Sequence, residues 1–339
     1  MNGQALENHL FMKQLPFASI HRSEETRKTR LENSTIRRIL SNVEKVIIGK
    51  EEEVKDILKG VLSGGHILIE DLPGLGKTTL VKALAKSMDL SFARIQFTPD
   101  LLPSDITGVS IYNQKDMSFE FHKGPVFAHV VLADEINRTS PKTQSALLEV
   151  MEEAQVSEGS NSYILEPPFV VLATQNPIEY EGTFNLPEAQ LDRFMMKTSI
   201  GYPGKADEMN ILKNFRLKSP LLTLQPVVTR EQVLELMAEV LRVEVSDAIN
   251  DYIVRLADET RTTNLLTIGV SPRASLSLMK LSQATALIRG RDFVIPEDVK
   301  ENVLLAFPHR VKLSSAARAR NLSERDVIQS ILGYVKAPR

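Results

Sequence analysis

A strand, a glycine-rich turn and a helix follow one another in one short stretch, and this order constrains the chain more than any other feature. An apolar run, 67–69, leads into the turn 70–76, and Lys77-Thr78 opens a segment whose apolar residues recur at helical spacing. Glycines let backbone N–H groups converge on phosphate oxygens, and a helix N-terminus adds its dipole. The stretch therefore predicts a phosphate-binding loop, with Lys77 on the β- and γ-phosphates and the Thr78 hydroxyl on Mg²⁺.

The loop departs from the pattern G-x-x-x-x-G-K-[ST] at one position, because Asp71 stands where the first glycine is expected. A chance turn before a helix is the alternative interpretation of such a short motif. The strand before the loop and the helix after it favour phosphate binding, and the rest of the chain has to decide between the two.

An acidic pair follows the next long apolar run. Residues 126–133 are nearly all apolar, as expected for a strand in the middle of a parallel sheet, and Asp134-Glu135 follows them. In this Walker B arrangement the first carboxylate acts on Mg²⁺ and the second polarises an attacking water. A solvated turn is the alternative, and the phosphate loop upstream favours the catalytic interpretation.

Two further polar residues stand where buried elements end. Asn176 follows the apolar run 169–173, where its amide could orient a water beside the γ-phosphate, although Asn before Pro is also common in turns. Arg193 follows a short helical pattern, 187–192. It is either a surface ion-pair partner or a finger presented to a neighbour's nucleotide, and the residues alone leave both open.

Composition narrows the function classes. The chain has 339 residues and a net charge of −2, from 41 basic and 43 acidic residues, which counts against constitutive nucleic-acid binding. It has no cysteine, and its six histidines show no metal-ligand spacing. No run of 18 or more apolar residues and no signal-peptide core are found, so we expect a cytoplasmic protein without a transmembrane segment.

The length suggests two domains. We expect an N-terminal extension over 1–33, an α/β core over 34–203, a linker over 204–225 and a helical lid over 226–339. In the lid, Arg273 falls in the first turn of a helix, where the dipole disfavours a cation, and an anionic ligand beside it would explain its place.

Several stretches together carry a resemblance to one family. They are 70–78, 124–138, 141–149, 173–177, 181–194, 271–273 and 296–299. On these residues the chain resembles the MoxR family of AAA+ ATPases, which is related to magnesium-chelatase ATPase subunits. The resemblance covers about 34–330, in the expected order, and leaves the extension outside.

The resemblance implies an AAA+ P-loop core with a central parallel sheet, followed by a smaller all-helical lid, and it implies ATP and Mg²⁺ as cofactors. The catalytic residues it implies are Lys77, the general base Glu135, the sensor-1 residue Asn176 and the trans-acting arginine finger Arg193. The nucleotide contacts it implies are Ile48 and Gly49 near adenine, Asp71, Pro73, Gly74, Leu75, Gly76, Lys77, Thr78, Thr79 and the sensor-2 residue Arg273. Thr78 and Asp134 would hold Mg²⁺.

Two loops are implied to face a pore or a partner. The loop-rich segment 98–123 would contain the helix-2 insert, and a hairpin is expected over 155–167. Segments this long inside a compact domain are usually functional.

The family resemblance implies a homo-oligomer, as a hexameric ring, that uses ATP hydrolysis for chaperone-like remodelling or maturation of partner proteins. Partners would include von Willebrand A domain proteins, and the work would be complex assembly or metal insertion. A nucleic-acid motor or loader is the first alternative, which neutral charge and the absence of tryptophan disfavour. A small-molecule kinase is the second, and Glu135 beside Asp134 fits hydrolysis better.

Overall fold

The computed structural model describes residues 33–176, 183–214 and 219–338. The predicted extension lies outside these ranges except for its last residue, as do 177 and 181–182 of the family motifs. The strands are β1 Ile67–Glu70, β2 Phe92–Gln96, β3 Gly108–Asn113, β4 Ser118–Lys123, β5 Val130–Asp134, β6 Gln155–Glu158, β7 Asn161–Ile164, β8 Val170–Gln175, β9 Met196–Thr198, β10 Leu266–Ile268 and β11 Lys312–Leu313.

The helices alternate with the strands in the first half of the chain and dominate the second. They are α1 Ser34–Glu44, α2 Glu51–Leu62, α3 Lys77–Ser87, α4 Pro103–Thr107, α5 Pro141–Glu153, α6 Glu188–Leu191, α7 Lys205–Asn214, α8 Pro220–Thr223, α9 Arg230–Arg242, α10 Asp247–Thr262, α11 Pro272–Ile288, α12 Pro296–Ala306, α13 Ser315–Ala319 and α14 Glu324–Tyr334. Among the described residues, no helix is long and apolar enough to cross a bilayer.

A five-stranded parallel sheet organises the core, with the strand order β2-β5-β8-β1-β9. All its strands point the same way, so their carboxyl ends lie at one edge. The register places Glu70 opposite Gln175 and Gln96 opposite Asp134. The strand before the phosphate loop therefore lies inside the sheet, next to the strand that leads to Asn176.

Successive residues of the central strands face two different cores, as the two-residue period of a strand requires. On one face Leu68, Val131 and Val171 pack with α5. On the other, Ile67 and Leu132 belong to a cluster that continues through α1, α2 and α3 into the lid helices α9 to α12. The lid is thus joined to one face of the sheet by continuous apolar packing, and burial of this surface drives the docking.

Helix starts in the lid follow the polar caps in the sequence. Thr229 accepts a hydrogen bond from the backbone N–H of Gln232, whose side chain returns to the Thr229 backbone and completes the capping box at α9. The Ser271 side chain caps α11 by accepting from the Ala274 backbone N–H, with a proline at the first helical position. The start of α11 at Pro272 confirms the prediction that Arg273 lies in a first helical turn. Both caps satisfy backbone donors that a helix leaves unpaired.

The segment 98–123 differs from its predicted loop-rich character, since it forms α4 and the antiparallel hairpin β3–β4. The hairpin projects from the sheet with apolar side chains in solvent, among them Phe119, 74% exposed. Short apolar alternations around Ile111 and over 119–121 are present in the sequence, but the many polar, Pro and Gly residues of the segment outweighed them. The hairpin expected over 155–167 is confirmed as β6–β7, and the segment predicted as linker contains α7 and α8.

Asp71 ties the phosphate loop to the end of the core. The residue is 8% exposed. Its Oδ2 accepts hydrogen bonds from the backbone N–H groups of Ile200 (2.6 Å) and Gly201 (2.9 Å), and its Oδ1 accepts one from Leu72 (3.1 Å). The aspartate at the first-glycine position therefore has a structural explanation, because three backbone donors need its carboxylate.

We expect the substitution Asp71→Gly, which restores the strict loop pattern, to destabilise the protein. Because hydrogen bonds to a charged group contribute about 1.5–3 kcal/mol, the free energy of unfolding in urea should fall by about 2–3 kcal/mol. Asp71→Asn keeps one acceptor oxygen, so its free energy of unfolding should lie between those of the wild type and Asp71→Gly. An unchanged free energy of unfolding for the glycine variant would contradict this role.

Candidate nucleotide-binding site

A cavity of about 370 Å³ opens at the carboxyl edge of the sheet, a size suited to a small-molecule ligand. It is lined by Pro73, Gly74, Gly76, Lys77, Thr78, Thr79, Arg94, Asp134, Glu135, Thr174 and Asn176. Nine of these eleven were predicted from the sequence, all but Arg94 and Thr174. The cavity thus brings the phosphate loop, the acidic pair and the asparagine into one site.

The loop wall depends on two glycines with left-handed backbones, Gly74 (φ 85°) and Gly76 (φ 79°). Gly76 is also the N-cap of α3 and brings no side chain to cap it, so first-turn donors face the cavity. Lys77 Nζ donates to the carbonyl oxygens of Asp71 (2.8 Å) and Leu72 (3.0 Å). Burial lowers the pKa of Lys77, and the carboxylates of Asp71, Asp134 and Glu135 oppose that shift.

Asp134 is buried and fixed from two sides. Arg94 donates to its Oδ2 through Nε (3.0 Å) and Nη2 (2.7 Å), and the Thr174 hydroxyl donates to its Oδ1 at 2.6 Å. Sequence reasoning missed Arg94. The alternation of residues 92–97 places Arg94 and Gln96 on one face of β2, but only the pairing of β2 with β5 shows which carboxylates they reach.

Glu135 adopts a left-handed backbone (φ 58°), which is unusual outside glycine and is found at functional sites. Its N–H donates to Thr174 Oγ1 at 2.8 Å. Its Oε2 accepts from Gln96 Nε2 (2.7 Å) and Arg138 Nη1 (3.0 Å). These contacts hold the carboxylate at the cavity wall, where it can accept a proton from a water.

Besides Arg273, four predicted nucleotide contacts do not line the cavity. Leu75 belongs to the loop without lining the cavity, and Asp71 has the structural role described above. Gly49, next to Ile48, adopts φ 70°, and a Cβ there would lie 2.3 Å from Asp207 Cγ. The predicted adenine segment therefore lies against the start of α7, where the core gives way to the lid.

Arg193 and Arg273 lie together, away from the cavity. Both pair with Glu152, at 2.9 Å and 2.6 Å, and Arg273, with Arg193, lowers the pKa of that carboxyl. His66, just before β1, contacts the carbonyl of Met151, and its own carbonyl accepts from Met195. The pair thus lies at the amino edge of the sheet, roughly 17 Å from the cavity by the rise of the six-residue β8.

The strand order, the phosphate loop and the acidic pair define a P-loop ATPase of the AAA class. The family model for the ATPase family associated with various cellular activities (AAA) matches residues 66–196, and that for the AAA lid domain matches 258–331.

Known proteins resemble the chain over most of its length. YeaC of Bacillus subtilis, an uncharacterized protein, is 48% identical over 299 residues, which are 88% of this chain and 93% of YeaC. Chaperone MoxR1 of Mycobacterium tuberculosis is 41% identical over 314 residues, which are 90% of this chain and 83% of MoxR1. A crystal structure of a candidate ATPase from Cytophaga hutchinsonii superposes with a TM-score of 0.86 at 42% sequence identity. The match covers 93% of this chain and 98% of that protein. The chain therefore belongs to the MoxR family of AAA+ ATPases, a family that includes chaperone-like members.

We expect two substitutions in the cavity to separate binding from hydrolysis. Lys77→Ala removes the loop cation and should abolish binding of a fluorescent ATP analogue. Glu135→Gln removes the carboxylate that is predicted to act as the base, so ATP should bind with near-normal affinity while phosphate release falls about 10²- to 10⁴-fold. Glu149→Gln, at an exposed position on α5, serves as the matched control. Normal phosphate release by Glu135→Gln would show that another group takes the proton.

Proposed function

We propose that ATP is hydrolysed between two copies of this chain, with Arg193 and Arg273 of one copy completing the site of the next. The observation that carries the proposal is their place: both lie at the sheet edge opposite the cavity of their own chain. Their side chains are 28% and 42% exposed, so a neighbour's anion can reach them. The family resemblance implied a trans-acting finger for Arg193 and a sensor-2 contact from the lid for Arg273, without saying which copy's nucleotide Arg273 contacts.

Each residue of the cavity then has a chemical role. The loop N–H groups and Lys77 neutralise the phosphates, Asn176 orients a water and Glu135 takes its proton. Thr78 and Asp134 would hold Mg²⁺, which supplies charge neutralisation when bound. The donors fit this ion: both offer oxygen, and Mg²⁺ takes few protein ligands beside phosphates and water. No group of three or more His, Asp or Glu side chains arranged for a metal occurs in the described ranges.

Hydrolysis between copies makes assembly part of the reaction. In a single chain, Arg193 and Arg273 do not reach the cavity, and the Arg94 guanidinium in its lining is paired with Asp134. A closed ring, as a hexamer, would supply Arg193 and Arg273 to every site, where they offset charge at the transferred phosphoryl. The energy would serve chaperone-like remodelling of partner proteins, including von Willebrand A domain proteins, by complex assembly or metal insertion. The name of the Mycobacterium tuberculosis relative supports the chaperone role, and the exposed apolar β3–β4 hairpin offers a contact surface.

We expect Arg193→Ala to bind ATP normally but to lose about 10³-fold or more in turnover, the usual value of an arginine finger. Mixing it with Lys77→Ala should restore activity. In the mixed assembly, a Lys77→Ala copy supplies an intact Arg193 to the intact cavity of an Arg193→Ala copy. Wild-type activity per chain should fall on dilution. Arg242→Ala, at an exposed lid position, is the matched control. Full activity of Arg193→Ala alone, or of the dilute single chain, would rule out hydrolysis between copies.

We expect the Glu135→Gln variant, held in its ATP-bound form, to retain a von Willebrand A domain protein from the same organism. Lys77→Ala should not retain it, and Phe119→Ser in the Glu135→Gln background should weaken retention if the hairpin contacts the partner. Co-purification with and without ATP measures this. Retention that is independent of ATP, or absent from all variants, would count against this partner class.

A further inference from the structure

The backbone on both sides of Arg193 is held by one buried arginine of the lid. Arg310, 5% exposed, ends the short helical turn Pro308–Arg310 that follows α12. Its Nη2 donates to the carbonyl oxygens of Phe194 (2.7 Å) and Asp192 (3.2 Å), and its Nε lies 3.0 Å from Asp192 Oδ1. A single guanidinium thus contacts the residue before Arg193 and the residue after it.

Other lid residues add to the same contact. The Ser271 hydroxyl lies 3.0 and 3.1 Å from the two carboxylate oxygens of Asp192 and donates to that group. His309 Nε2 lies 3.0 Å from the Phe194 carbonyl, which can only accept, so this nitrogen carries the proton. Burial and the adjacent Arg310 keep the pKa of His309 well below its ordinary value, so the ring is neutral.

A buried cation holds two elements together at a large cost in desolvation free energy. Burial lowers the pKa of Arg310 to about 10, against the attraction of Asp192. Packed apolar side chains often stabilise a fold as well as a buried ion pair does. A guanidinium does what they cannot, because its planar donors hold the carbonyl groups of Asp192 and Phe194 in one orientation while its charge pairs with the Asp192 carboxylate. The Arg193 side chain, whose ion pair in the described structure is the half-exposed Glu152, starts from that fixed backbone.

We propose that Arg310 is a positioning residue for the arginine finger. It fixes residues 192–194 so that Arg193 is presented to the nucleotide of the neighbouring copy, and it thereby links the lid of one copy to hydrolysis in the next. This inference rests on the proposed function, because it takes Arg193 to act on a neighbour. A displacement of about 1 Å at a catalytic group can cost about a hundredfold in rate, so loss of the Arg310 contacts should matter.

The test is complementation between variants. Arg310→Met should bind a fluorescent ATP analogue with near-normal affinity and lose about 10- to 100-fold in turnover. Mixed with Lys77→Ala, it should recover activity, because its own site is intact and Lys77→Ala copies carry correctly placed fingers. Arg310→Lys, which keeps the charge but loses the planar donors, should show a smaller loss with the same recovery. Arg320→Met, exposed on the lid surface, should behave as wild type.

The mixture of Arg193→Ala with Lys77→Ala is the reference. If that mixture recovers and the Arg310→Met mixture does not, Arg310 acts within its own copy and the inference is wrong. If the reference itself does not recover, hydrolysis between copies is wrong. Loss of nucleotide binding in both Arg310 variants would also overturn the inference, because the residue would then maintain the fold rather than the finger.

Discussion

The parallel register of β5 and β8 is the constraint on which the site depends. Both strands end at the same edge, so Thr174 of β8 comes within hydrogen-bond distance of Asp134 and of the Glu135 backbone. One hydroxyl therefore fixes both acidic residues of the site. The parallel register of β2 and β5 in turn brings Gln96 to the Glu135 carboxylate. The acidic pair is thus oriented by two strands that are distant in sequence.

The local part of this site could be predicted from the sequence, and the non-local part could not. Lys77 and Asp134 belong to short motifs whose chemistry is set by neighbouring residues along the chain. Arg94 reaches Asp134 only because β2 pairs with β5, and no short pattern specifies which parallel strands pair. Likewise, the place of Arg273 depends on how the lid docks. Its place in the first turn of a helix was predicted, but the packing that brings it to Glu152 is tertiary.

The lid packs closely against the core in this structure. Its helices share one apolar cluster with a face of the sheet, and Asp71 joins the phosphate loop to Ile200 and Gly201, where the core leads into the lid. The cavity and the lid are therefore connected at two places with different chemistry, apolar packing and a buried carboxylate. A change at the phosphate loop can bias the lid through these contacts if the two states differ in them.

Glu152 gives the two arginines a partner that a nucleotide could replace. The carboxylate is 40% exposed, and exposed ion pairs contribute only about 0–1 kcal/mol, so exchanging it for a triphosphate loses little. Arg310, in contrast, is buried, and it contacts backbone carbonyls and the Asp192 carboxylate of its own chain, which a ligand at the surface does not reach. The arrangement therefore combines an exchangeable contact at the tip of Arg193 with a permanent one at its base, and this division is what a residue acting across an interface requires.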